Sequence, residues 1–328
     1  MEKIIVRRAT REARSWEAKQ AVKKTVEKIV ELIRETSSSL PEDVVAEIRK
    51  AARREARGGS AAVVLKTILD NCALAKKNST PLCQDTGTLA FYVDETLKKK
   101  VTPAVLKEAV AIATERGYLR KNCIDSVTGK SYDDNCCDGA PVVHYQKGKR
   151  KKEKGKSAEV SLLMKGGGSE NMSRQYSLPD AALGAGRDLE GVRKCILDAV
   201  VKAQGFGCAP GILGVCIGGD RATAYEVAKE QLLRPLDESE KGKVKGEKVS
   251  GEVEALRKLE RRILKEANSL EIGPMGLGGK TTLLGVKIAS RPRVPASFFV
   301  TIAYMCWACR RRTITLYPER LARARRSE

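Results

Sequence analysis

The chain has 328 residues, ten of them cysteine, and its 62 lysines and arginines against 41 aspartates and glutamates leave a net charge of +21. That length holds one large domain or two ordinary ones, and a 42% hydrophobic content supports a packed core. No run approaches the ~20 uninterrupted apolar residues of a membrane span, and the first residues lack the apolar stretch of a signal peptide. Adjacent Cys136 and Cys137 do not suit a disulfide scaffold, so the sequence reads as a cytoplasmic protein in a reducing compartment. The basic excess gathers partly in runs at 147–156, 241–248 and 320–326, and elsewhere both signs mix along helices as on a solvated face. A nucleic-acid binder would place stacking aromatics among those charges, and the runs at 147–156 and 320–326 contain none.

In chain order, residues 12–36 predict an amphipathic helix with Val22, Val26, Ile29 and Ile33 on one stripe. Pro41 opens a second helix through residues 42–54, and a third covers 60–77. Residues 89–93 read as a buried strand, and 102–116 as a helix with Thr102 as N-cap and Pro103 at its first position. Residues 141–145 and 158–164 predict two strands, with the basic run 147–156 between them as an exposed hairpin tip. Helices follow at 188–204, 221–232 and 251–268, and strands at 213–217, 283–289 and 298–303. A polar Lys/Glu/Gly-rich loop spans 235–250, and a basic tail 320–328. The pattern is one mixed α/β domain over 1–328, with helices packed around a small sheet.

Three cysteines stand in loop-like sequence far apart from one another: Cys83 in Pro81-Leu82-Cys83-Gln84-Asp85-Thr86-Gly87, Cys208 in Gly205-Phe206-Gly207-Cys208-Ala209-Pro210-Gly211, and Cys306 in Tyr304-Met305-Cys306-Trp307-Ala308-Cys309. A zinc ribbon would use close pairs. Three separated thiolates suit a [4Fe–4S] cluster assembled by the fold, with one iron free to act as a Lewis acid. Cys309 competes with Cys306 for the third place, and would supply a fourth ligand in an electron-transfer protein. Gln84 and Asp85 could position a hydroxyl or relay a proton beside such a cluster. Arg120, at a helix end, could pair with a carboxylate. Gly166, Gly167 and Gly168, followed by Ser169, expose backbone N–H groups to a ligand. Residues 276–282 imitate a P-loop, but Pro274 stands where its first glycine belongs, and only anion binding by backbone N–H groups is retained. His144, the single histidine, reads as a packed strand residue.

Taken in order, residues 81–87, 165–173, 205–220, 272–287 and 295–311 resemble the class I (iron–sulfur) fumarate hydratase and tartrate dehydratase family. The resemblance implies a fold like that family's N-terminal domain and a [4Fe–4S] cluster on Cys83, Cys208 and Cys306. The pattern Cys-x-Ala-x-Arg, read at 306–310, leaves Cys309 over. It also implies Gln84 and Asp85 as substrate contacts, Asp85 being catalytic, with Arg120 and the loop from Gly166 to Ser169 completing the site for a small dicarboxylate. The implied reaction is reversible hydration of fumarate to L-malate, as in the tricarboxylic acid cycle, with L-tartrate dehydration as the rival. The chain ends at Glu328, where single-chain members continue, so the resemblance implies the α subunit of a two-subunit enzyme that needs a separate β subunit, as an α2β2 heterotetramer. Val294 stands where members often carry His, which puts one substrate contact in question.

Overall fold

The computed structural model describes residues 2–147, 158–237 and 251–317, with residues 2–15 as backbone alone. The 147–156 run, the 235–250 loop and the 320–328 tail therefore lie largely or wholly outside the described residues. Eight helices are described: α1 Glu2–Ser38, α2 Glu42–Arg54, α3 Ser60–Asn78, α4 Pro103–Glu115, α5 Gly167–Asn171, α6 Leu189–Ala203, α7 Arg221–Gln231 and α8 Gly251–Asn268. The ten strands are β1 Thr88–Asp94, β2 Cys123–Ile124, β3 Ser131–Tyr132, β4 Val142–Gln146, β5 Ala158–Lys165, β6 Arg174–Ser177, β7 Gly211–Gly218, β8 Leu283–Arg291, β9 Phe299–Met305 and β10 Arg310–Leu316.

The mixed α/β class holds, but the strands form two four-stranded sheets and a short ribbon instead of one small sheet. The first sheet has the order β10-β5-β1-β4, the second β6-β9-β7-β8, and β2 pairs with β3. Strands β4 and β5 are not a hairpin: each pairs with β1, β4 parallel and β5 antiparallel. β1 therefore lies between them, and it is buried on both faces as an interior strand covered on each side is.

Strand alternation sorts the core into layers. Phe91 and Val93 of β1 turn toward α1 and α4, where Ile29, Ile33, Leu106 and Val110 are fully buried. Val22, expected on the same stripe, lies past the end of that contact and is exposed. Ala90 and Tyr92 turn the other way, into a middle layer with α2, α3 and α7 that also takes Ile212 and Cys216 of β7. Leu213 and Val215 face the outer helices α6 and α8. Each such fully buried aliphatic side chain contributes about 2 kcal/mol, the main term offsetting chain ordering. Helix α4 starts as its sequence dictates: Thr102 Oγ1 accepts from the backbone of Val105, and Pro103 follows.

Candidate active site

Strand register gathers the loops in two groups, one at an end of each sheet. In the first sheet, Thr88 at the start of β1 pairs with Lys165 at the end of β5, and Arg310 at the start of β10 pairs with Met164. The Cys83 loop, the glycine loop and Arg310 therefore meet at the same end. In the second sheet Ile212, at the start of β7, pairs with Met305, the last residue of β9. Cys208 immediately precedes β7 and Cys306 immediately follows β9, so these two also share an end, joined by Trp307 N donating to Cys208 O at 3.2 Å.

The three thiols lie within one another's electrostatic reach. Burial pushes Cys208 up, with Cys83 and then Asp85 adding to it. Burial pushes Cys306 up to about 12, with Arg310 opposing and Cys208 and Cys83 adding. Cys309 stands apart. It is fully buried in the middle layer, where burial raises its thiol and Arg311 and Asp43 are its charged neighbours. Among the described residues no three His, Cys, Asp or Glu side chains gather tightly enough for a single metal ion. Three thiols on three loops, half-buried and in mutual range, suit a multi-iron cubane, which holds its thiolates wider apart than one ion does. A backbone amide already points at one sulfur, from Asp85 N to Cys83 Sγ at 3.5 Å. The donor set fits a [4Fe–4S] group.

Local packing explains why these loops are glycine-rich. A Cβ on Gly207 or Gly211 would fall 2.3 or 2.5 Å from atoms of Tyr304, so the ring two residues before Cys306 is clasped by the Cys208 loop. Cys208 itself has φ 54°, a left-handed conformation rare outside glycine, and this aims its side chain away from the path that an extended residue would follow.

Asp85 is the best-defined polar group of the site. Its Oδ1 accepts from Asn122 Nδ2 at 3.2 Å, and its Oδ2 lies 2.8 Å from where a Cβ on Gly166 would stand. Gln84 is exposed beside it. Arg120 is not at a helix end, since α4 stops at Glu115. It sits in the following loop and is bound to the Cys83 loop through its backbone: Thr86 Oγ1 donates to Arg120 O at 2.9 Å, and Arg120 N to Thr86 Oγ1 is 3.0 Å. Its exposed side chain is left to reach outward. Gly167 and Gly168 are exposed, whereas Ser169 is buried with its hydroxyl donating back to Gly166 O at 2.9 Å. Val294 is 64% exposed in the loop before β9, at the end of that strand away from Cys306. The strand's length, roughly 20 Å at ~3.3 Å per residue, separates it from the three thiols. His144 stacks on Tyr92 with ring centroids 4.9 Å apart, as a packed strand residue does. In the 276–282 loop, Lys280 N donates to Glu55 Oε2 at 3.0 Å, so a carboxylate of the chain itself already occupies that amide.

Two basic residues beside the thiols escape sequence reasoning. Lys165 is 3% exposed and forms a 2.6 Å ion pair with Glu170, whose other oxygen meets Lys229 at 2.6 Å. Burial holds Lys165 below the usual lysine range, opposed by Glu170 and, more weakly, by Cys306. Burial favours the neutral form of Glu170, but Lys165 and Lys229 outweigh it and hold the carboxyl below its ordinary range. Arg310 is 1% exposed, and its Nε has no hydrogen-bond partner. One terminal nitrogen lies 3.8 Å from the Gly166 Cβ position, on the Asp85 side, and no described carboxylate forms an ion pair with it. A buried cation without a counter-charge is costly unless an anion comes to it. The signal for both was only their place beside the glycine loop and the third cysteine.

A sequence profile described as fumarate hydratase (Fumerase) matches residues 26–315. The chain is 45% identical over 302 residues to a protein named putative fumarate hydratase class I from Geobacillus stearothermophilus, the match covering 90% of this chain and 56% of that protein. It is 32% identical over 290 residues to a protein named putative L(+)-tartrate dehydratase subunit alpha from Methanocaldococcus jannaschii, covering 86% of this chain and 94% of that one. It is 27% identical over 303 residues to the L(+)-tartrate dehydratase subunit alpha of Escherichia coli K12, covering 92% and 93%. The chain thus spans about half the length of the Geobacillus relative and nearly all of the two named as subunits. Among the described residues no helix is long and apolar enough to cross a membrane.

Proposed function

The chain belongs to the fumarate hydratase (Fumerase) family, and from that premise we propose that it is the cluster-bearing α subunit of a hydro-lyase that interconverts fumarate and L-malate. The observation that supports the reading is that Cys83, Cys208 and Cys306 lie within electrostatic range of one another, with Asp85 against Gly166. These three cysteines would hold a [4Fe–4S] group, and Cys309 would not. When bound, such a group supplies a Lewis-acid iron for a substrate oxygen.

The chain's own residues would do the rest. Gln84 of the Cys83 loop and Arg120 of the loop bound to it would bind and orient the carboxylates of a four-carbon diacid. Exposed Gly167 and Gly168 let the substrate approach the backbone closely. Asp85, held by Asn122, would hold or move the proton at the carbon that gains or loses it. Hydration adds OH to one olefinic carbon and H to the other, so no electrons leave the substrate. Lys165 and Arg310 would balance the negative charge that thiolates and diacid bring to the site.

The names of the alpha-subunit relatives support a separate β subunit as partner, and the proposed assembly is a cytoplasmic α2β2 heterotetramer. An apolar rim fits coverage by such a partner: beside Cys208, Phe206 is 76% exposed, Leu277 60% and Met275 41%. The same relatives favour L-tartrate as the second candidate substrate. Co-purifying the chain with its β subunit under nitrogen and assaying both acids tests the reading. Fumarate turnover by the pair and not by the chain alone is expected. Turnover by the chain alone would remove the partner requirement, and tartrate turnover in place of fumarate would reassign the substrate.

A further inference from the structure

The ribbon β2–β3 carries a second set of thiols that the hydration chemistry does not use. Cys123 Sγ and Cys137 Sγ lie 3.1 Å apart. A disulfide requires about 2.05 Å, so roughly 1 Å of side-chain movement would close the bond. Both backbones are fixed. Cys123 is paired with Tyr132 in the ribbon, and Cys137 exchanges two backbone hydrogen bonds of 3.3 Å with Ala140. The segment is tied at its base by Asn135, 4% exposed, whose side chain accepts from Asn122 N at 2.7 Å and donates to Arg120 O at 2.9 Å. Asn122, next to Cys123, donates to Asp85. A cavity of about 240 Å³ opens beside Cys123, lined also by Asn122, Gly87, Pro141 and Gly167.

The geometry points to Cys123 and Cys137 as a reversible dithiol site that takes a low-molecular-weight disulfide, its oxidised form clamping the segment that holds Asn122 against Asp85. Two exchange steps balance the reaction. The Cys137 thiolate attacks one sulfur of the small disulfide, forming a mixed disulfide and expelling one thiolate. Cys123 then loses its proton and attacks the Cys137 sulfur, forming the intramolecular bond and expelling the second thiolate. The chain loses two electrons and two protons, and the small disulfide becomes two thiols. Burial and the Cys137 hydrogen bond push Cys123 up to about 11, so it keeps its proton until the second step; both sulfurs are half-buried, and Cys137 Sγ also reaches Asp138 O at 3.4 Å. Cys136 points elsewhere, toward Lys107 O at 3.4 Å. Neither cysteine is one of the three proposed cluster ligands, so the linked peptide is read whether or not that assignment holds.

The full chain, with its partner and under nitrogen, is equilibrated with glutathione buffers of increasing oxidised fraction, alkylated and mapped by mass spectrometry. Cys123 and Cys137 are expected to leave the alkylatable pool together, to appear as one linked peptide, and to titrate as a two-electron couple. Cys123→Ser and Cys137→Ser should each abolish the linked peptide and leave glutathione on the surviving cysteine. Hydrogen exchange of the Asn122 amide should slow at least ~10-fold on oxidation. A wild-type protein that forms no 123–137 link under excess oxidised glutathione, or that links Cys136 to Cys137, overturns the proposal. Unchanged Asn122 exchange in a linked protein overturns the clamp. Wild-type mapping and exchange decide the matter even if the serine variants fold poorly.

Discussion

Replacing Gly166 with alanine separates the role of Asp85 from the stability of the loop around it. The new Cβ would lie 2.8 Å from Asp85 Oδ2, and ordinary contact begins at 3.4 Å, so the carboxylate must retreat by roughly 0.6 Å. Gly166 has φ −63° and ψ 147°, which alanine adopts without strain. The neighbour is a side chain and can move, so the stability cost falls at the low end of overpacking, about 1 kcal/mol. Function should suffer more. A displacement near 1 Å of a proton-handling group costs up to ~100-fold in rate, and here the hydrogen bond from Asn122 is stretched as well. Gly166→Ala should therefore lower kcat for fumarate hydration by about 10- to 100-fold, with KM within about threefold. Gly168→Ala is a control for stability alone, since nothing lies within 4 Å of its Cβ position and the melting temperature should not fall. The assay is fumarate loss by the reconstituted complex under nitrogen, with melting curves on the same samples. Wild-type kcat in Gly166→Ala would refute the placement of Asp85 at the reacting carbon.

Arg310→Gln removes a buried cation that has no carboxylate partner, so the cluster-free chain should melt no lower than wild type, while the loaded chain should lose iron several-fold faster to a chelator. Melting and chelation traces check both signs, and Arg310→Lys should restore part of the iron retention. Because Glu170 is held below its ordinary 4.5, its contribution is present above that pH and lost as pH falls through the lower folded value. Glu170→Gln should flatten the loss of melting temperature below about pH 5, and parallel wild-type and variant curves would count against the pair. Lys165 acts in the opposite sense at high pH: burial penalises its charged form, and that penalty fades as pH rises toward 10.5.

Much of this fold was legible because periodicity and punctuation agreed. The stripes of α3 and α6, the Thr102–Pro103 start of α4 and the apolar run of β7 each follow from local rules. Strand β10 was not legible: it opens with Arg310, Arg311 and Arg312, charges that read as surface although Arg310 is buried. Strand β6 is four residues long and too short to show a period. The pairing of β1 with both β4 and β5 is a non-local choice that no window reveals. At the site, the cysteine loops announced themselves by residue type, whereas Asn122 and Lys165 depend on which loops the sheets bring together. The short helix at 167–171 tucks Ser169 inward, a detail that a run of glycines could not indicate.

Three loops of the chain are proposed to share one iron–sulfur group. Anaerobic iron and sulfide counting on the wild type and on Cys83→Ala, Cys208→Ala, Cys306→Ala and Cys309→Ala tests it most directly. The account predicts about four irons and four sulfides per chain in the wild type and in Cys309→Ala, and loss of most of both in the other three variants. A Cys309→Ala protein that loses its iron, or a Cys306→Ala protein that keeps it, would contradict the account.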